Sequence, residues 1–210
     1  MNEIERFNEK IRDLEGKADV LEDTLGSYLV KLSSREMSER DSRQITKLLH
    51  IIGDLERISD HAVNILESAE EMRDKKIAFS EQAVSELAVL RAAIQEIVTN
   101  TTEALLNNDL VRAADVEPLE QVVDDLRDKI KLNHILRLQK SECTIEHGFI
   151  LSDMLTNFER VSDHCSNIAG CVIEISTFEA LDMHKYLAGI KEGSENFEQK
   201  YNEYKAKYSL

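Results

Sequence analysis

The feature that most constrains this chain is a pattern that occurs twice. GDLERISDHAVNI at 53–65 and TNFERVSDHCSNI at 156–168 share E-R-x-S-D-H-x-x-N, and Glu56 and Glu159 lie 103 residues apart in a chain of 210. A motif repeated at about half the chain length implies two related units in tandem, each burying the same face.

The units are helical. One proline, seven glycines, no tryptophan and 32% charged residues, spread over long stretches without turn signals, leave strands nowhere to start. The 42% apolar content is enough for a proper core. Apolar spacing predicts helices over residues 2–33, 39–74, 81–107, 110–141, 144–176 and 182–208. Ser38 with Asp41 has the form of a capping box, and Phe79, Ser80 and Val84 that of a hydrophobic staple around an N-cap serine. Asn107, Asn108 and Asp109 make a tight turn, and Pro118 either kinks the fourth helix or restarts it.

Short connections between long helices favour antiparallel packing, so the expected fold is all-α: two tandem antiparallel three-helix bundles. The first repeat spans 1–76 and is incomplete, the second spans 77–178, and 179–210 form a C-terminal helix packing on the bundles. The second repeat has a helix before its motif-bearing pair, whereas the first begins with that pair. Two explanations are open: the sequence was cut from a longer polypeptide, or the helix with Phe197, Tyr201, Tyr204 and Tyr208 folds back into the gap. A cut with partial filling is the expectation.

Acid pairs four residues apart carry no information in themselves, because 41 acids in 210 residues produce about eight by chance. Their placement does. At about 100° per residue, Ile52, Ser59, Leu66, Leu55 and Ala62 form an apolar stripe beside Glu56, and Asp60 extends the acidic rim. Leu155, Ser162, Ala169, Phe158 and Cys165 repeat that stripe beside Glu159 and Asp163. The same design recurs around Glu15 and Asp19 and around Glu120 and Asp124. Four helices thus carry acidic rims, and pairing their stripes brings four carboxylates together in each repeat.

Carboxylates about 4 Å apart repel by about 4 kcal/mol at an effective dielectric of 20. A bound cation relieves this, and all-oxygen ligation suits Mg²⁺, Ca²⁺, Mn²⁺ or iron, with more than one ion bridged. Pairing with arginine relieves it too, and Arg57 and Arg160 adjoin the motif acids. Asn64 and Asn167 continue the rim, as ligands or hydrogen-bonding groups. His61 and His164 point well away from the seam, as surface groups or outer partners of a metal site, with direct ligation the lesser alternative.

A formal charge of −15 disfavours nucleic acid and direct insertion into an anionic membrane surface. Cys143, Cys165 and Cys171 lack C-x-x-C spacing and sit in helical patterns, which suits buried reduced thiols in the cytosol. No apolar run approaches the ~18 residues of a membrane span.

The two motifs, L-E-R-I-S-D-H-A-V-N-I and F-E-R-V-S-D-H-C-S-N-I, resemble the repeated E(D)-x-x-x-D signature of the PhoU family of phosphate-transport regulators, over nearly the whole chain. E-P-L-E-Q-V-V-D, H-I-L-R-L-Q-K-S-E-C-T-I-E-H-G-F and Y-N-E-Y-K-A-K-Y look closest to the cytosolic PhoU-like domain of bacterial Na⁺/phosphate cotransporters. Ser59 and Ser162 depart from the glycine usual in free-standing members.

The resemblance implies a regulatory, non-catalytic domain in phosphate homeostasis, at the cytosolic face of the membrane. Its partner would be a membrane phosphate transporter in the same polypeptide or complex, and a homo-oligomer stays open. It also implies multinuclear clusters of iron, zinc or similar ions, with Glu15, Asp19, Glu56 and Asp60 as ligands in the first repeat and Glu120, Asp124, Glu159 and Asp163 in the second. Because the acidic rims repel the bare anion, phosphate binding is expected to go through a bound metal.

Two other functions compete. One is a metal-free helical adaptor with salt-bridged rims. The other is a di-iron carboxylate redox enzyme, which needs E-x-x-H, and no histidine here has a glutamate three positions before it. With no G-x-S-x-G and no P-loop either, the expectation is that the chain is not an enzyme.

Overall fold

The computed structural model describes residues 3–177 and 195–210. The described elements are α1 (Glu3–Ser33), α2 (Glu39–Lys75), α3 (Glu81–Asn107), α4 (Leu110–Ala114), α5 (Val116–Gln139), α6 (Ile145–Thr177) and α7 (Glu195–Lys207). Among the described residues there is no strand.

The breaks follow local chemistry. Ser38 caps α2, its Oγ accepting from Asp41 N at 3.2 Å and donating to the Asp41 carboxylate at 2.8 Å. Ser80 caps α3 through Ala83 N at 3.3 Å. The expected staple there is only half formed: Phe79 packs on the core and against the His147 ring, while Val84 faces solvent. Lys76 and Asn108 end their helices in the left-handed region, at φ 54° and 52°.

The single helix expected over 110–141 is two, split at Asp115, with Pro118 in the first turn of α5 where its missing N–H costs nothing. Asp109 caps the short α4 through the amides of Val111 and Arg112. Cys143 lies in the α5–α6 connection, outside any helix. Of the helix expected over 182–208, residues 182–194 lie outside the described residues.

α3, α5 and α6 form a three-helix bundle, with α4 tucked against all three. Leu90, Ile97, Leu119, Val123, Ile130, Leu151 and Leu155 are fully buried in it. Each such side chain contributes about 1.5–3 kcal/mol, so the stability of the chain is concentrated in this half.

α1 and α2 form a hairpin that joins the bundle through α2 and α6. These two run antiparallel from end to end, as Lys75 to Glu146 (3.1 Å), His61 to Asn157 (2.8 Å), Asp54 to His164 (2.8 Å) and Lys47 to Glu174 (2.5 Å) show. α7 does not close the first repeat. It lies along α5, with Phe197 and Tyr208 buried, Tyr201 bonded to Asp125 (2.5 Å) and Tyr208 bonded to Glu96 of α3.

Candidate functional site

The acidic rims flank one edge of each helix pair. In the first repeat α1 runs antiparallel to α2, tied at one end by Asn8 and Arg12 to Glu70 at 2.8 and 2.6 Å. Further along, Glu56 and Asp60 of α2 stand beside α1. Glu15 is half-buried against α2, whereas Asp19 is exposed. Burial raises the Glu56 carboxyl above its ordinary range. Asp60 adds to that rise, Arg57 opposes it, and Glu22 of α1 contributes a further negative charge. Among the described residues the one cation drawn to this group is Arg57, itself 62% exposed, at 3.5 Å from Glu56 and 3.3 Å from Asp60.

The second rim has the same frame and a different charge. Glu159, Asp124 and Asp163 are half-buried, and Glu120 is buried. Burial raises both Asp124 and Asp163; Glu159 pushes each further up, while Arg127 opposes the rise in both. Arg127 sits among these acids, its guanidinium paired with Glu159 and 3.3 Å from Asp124. Arg160 pairs outside it with Asp163 at 3.4 Å.

Glu22 and Arg127 hold equivalent positions, 105 residues apart, just as Glu15 and Glu120 do. Both were missed from the sequence, although each lies seven residues after its rim glutamate and therefore on the same helix edge. The second repeat thus neutralises its carboxylates internally, whereas the first adds another acid at that point. Among the described residues no group of three or more His, Cys, Asp or Glu side chains is arranged to hold a metal ion. A cation at the first rim therefore requires its carboxylates to turn toward a common point.

The remaining candidates lie elsewhere. His61 and His164 point away from the rims, as expected, but into the seam between the repeats, where each bonds across it. Asn64 faces the same seam, donating to Asn157 Oδ1 at 3.2 Å, and Asn167 is exposed. Asp54 and Asn157, two residues before the motif glutamates, escaped the sequence reading because their role depends on the α2–α6 contact. Ser162 is buried and donates to the Glu159 carbonyl at 2.8 Å, which lets it sit in the apolar stripe.

A family model described as "PhoU domain" matches residues 2–69 and 87–172. The chain is similar to the phosphate-specific transport system accessory protein PhoU homolog 1 of Thermotoga maritima, 28% identical over 153 residues, which are 73% of this chain and 64% of that protein. The chain thus spans less than two thirds of that relative's length. It is also similar to the phosphate-specific transport system accessory protein PhoU homolog of Deinococcus radiodurans, at 23% identity over 76% of this chain and 74% of the relative. The crystal structure of PhoU from Pseudomonas aeruginosa superposes with a TM-score of 0.75 over 82% of each chain, at 21% identity, which shows a shared fold.

Proposed function

The chain belongs to the PhoU domain family, and on that premise we propose that it is a regulatory, non-catalytic domain serving phosphate transport. The observation that carries this reading is the match of one family model to both halves, each including a motif-bearing helix pair. The names of the Thermotoga and Deinococcus relatives support an accessory role beside a phosphate-specific transport system, and with it a place at the cytosolic face of the membrane. They favour that partner over the Na⁺/phosphate cotransporter suggested by E-P-L-E-Q-V-V-D, H-I-L-R-L-Q-K-S-E-C-T-I-E-H-G-F and the Tyr-rich end. No described helix is long and apolar enough to cross a membrane.

A cation belongs, in this reading, to the first rim. Glu22, Glu56 and Asp60 would hold a hard or borderline divalent ion, with Glu15 and Asp19 at its edge. The raised Glu56 carboxyl supports this, because the crowding that raises it is what a cation relieves. The bound ion would supply positive charge for an anion such as phosphate. The second rim fits a metal poorly, since Arg127 already meets its acids. That pairing favours a second reading for this half: a metal-free adaptor surface.

Elemental analysis and calorimetry with Mn²⁺ and Fe²⁺, on the wild type and on Glu56→Gln, test the cation. Equal metal content in both proteins would remove Glu56 from the ligands. Phosphate uptake in cells lacking the chain tests the regulatory role: unchanged uptake at every phosphate level refutes it.

A further inference from the structure

The two repeats present the same helix pair, which among the described residues is covered in one and bare in the other. Positions 42–74 of α2 have counterparts 103 residues later on α6, and positions 11–33 of α1 have counterparts 105 residues later on α5. In the second bundle α3 packs on both α5 and α6. Beneath it Leu119, Leu126, Ile130, Leu151 and Phe158 are at most 8% exposed. Their counterparts Leu14, Leu21, Leu25, Leu48 and Leu55 are 39–59% exposed. Ala62 and Ala69 are exposed where Cys165 and Val172 are buried.

These residues form one strip. Leu48, Leu55, Ala62 and Ala69 recur every seven residues along α2, and Phe7, Leu14, Leu21 and Tyr28 do so along α1. Isolated exposed leucines are ordinary, but two facing rows of them make a groove. The groove lies on the edge of the hairpin opposite the acidic rim.

We propose that this groove is the seat of a single partner helix, set against α1 and α2 as α3 is set against α5 and α6. α3 runs parallel to α6, since Asn108 meets Ser176 at 2.7 Å, and antiparallel to α5, since Glu86 meets Asn133 and Arg137 at 2.9 Å. The partner therefore runs parallel to α2 and antiparallel to α1. Its face is aliphatic throughout, because α1 has Tyr28 and Leu32 where α5 has Asn133 and Arg137. A glutamate at the position of Glu86 would be stranded there.

Its charge follows from the border. Lys10 and Lys17 are exposed on one side of Leu14, about 40° and 60° from it around α1; Lys17 pairs with Asp13 at 2.6 Å, and Lys10 beside it favours an acidic helix edge. α3 has that character, with Glu81, Glu86, Glu96 and Glu103 against Arg91. A second copy of this chain fits less well, because self-complementary pairing of two α1 helices sets lysine borders against each other.

The probe is a fluorescein-labelled peptide of residues 80–108 carrying Glu86→Leu, titrated into the full chain and followed by anisotropy. Saturable binding is expected. It should weaken at least tenfold for the double variant Leu14→Asp, Leu55→Asp and stay unchanged for Val111→Asp, an exposed site on α4. The peptide retaining Glu86 should bind severalfold more weakly. No binding, or equal binding to the double variant with its helicity intact by circular dichroism, overturns the proposal. A dimer in sedimentation that the double variant converts to monomer also overturns it, since a second copy would then cover the groove.

Discussion

His61 and His164 stack at the seam between the repeats, ring centroids 5.5 Å apart and planes inclined by 26°. Each belongs to one copy of the motif and bonds to the other copy at the same place: His61 to Asn157 and His164 to Asp54, both at 2.8 Å. Removing either acceptor leaves a half-buried ring nitrogen without its partner. Asp54→Ala and Asn157→Ala should each cost about 1–2 kcal/mol in urea unfolding. Asp54→Asn, which keeps an acceptor oxygen, should cost less than Asp54→Ala; equal costs would show that the bond contributes nothing.

Arg127 does for the second rim what the first rim leaves undone. Arg127→Ala should destabilise the chain by about 1–3 kcal/mol, because Asp124 and Glu159 lose their shared cation in a half-buried setting. The reciprocal change, Glu22→Arg, should raise the melting temperature without metal and abolish any divalent-ion stabilisation of the first rim. A melting temperature that falls in Glu22→Arg would count against the equivalence of the two positions.

Glu56 sets a pH dependence whose sign follows from its raised carboxyl. The folded state favours the neutral form, so this group's contribution is present at acid pH and is lost as pH rises through its folded-state value. In chelator-treated buffer, Glu56→Gln should therefore gain stability over the wild type between about pH 4 and pH 7. A difference that stays flat across that range would show that the carboxyl is unperturbed.

The three cysteines are free, and they differ in reach. Burial pushes the Cys165 thiol up to about 12 and Cys171 to about 11, so neither supplies thiolate at neutral pH. Ellman's reagent should titrate one thiol in the native chain, Cys143, and three in denaturant. Fast reaction of a second native thiol would mean that the α6 core opens readily.

Tyr208 anchors the C-terminal helix, buried among α3 and α5 residues with its hydroxyl donating to Glu96. Tyr208→Ala should cost about 3 kcal/mol in unfolding free energy, from lost packing plus the lost bond. Tyr208→Phe should cost about 1 kcal/mol. A loss in Tyr208→Phe as large as in the alanine variant would assign the whole effect to the hydroxyl.

What the sequence determined by itself is local and periodic. Helix positions, the Ser38 and Ser80 caps, the apolar stripes and the doubled rims all follow from side chains within a few turns of one another, and 3.6-residue geometry places them without knowledge of any neighbour. Tertiary structure decided what those edges meet. Whether a carboxylate rim faces Glu22 or Arg127, whether His61 and His164 stack on each other, and whether a leucine row lies under α3 or in solvent all depend on which helix packs against which. Such contacts join residues from about thirty to about a hundred positions apart, and their energies arise from burial and charge between elements, which periodicity along one element does not encode.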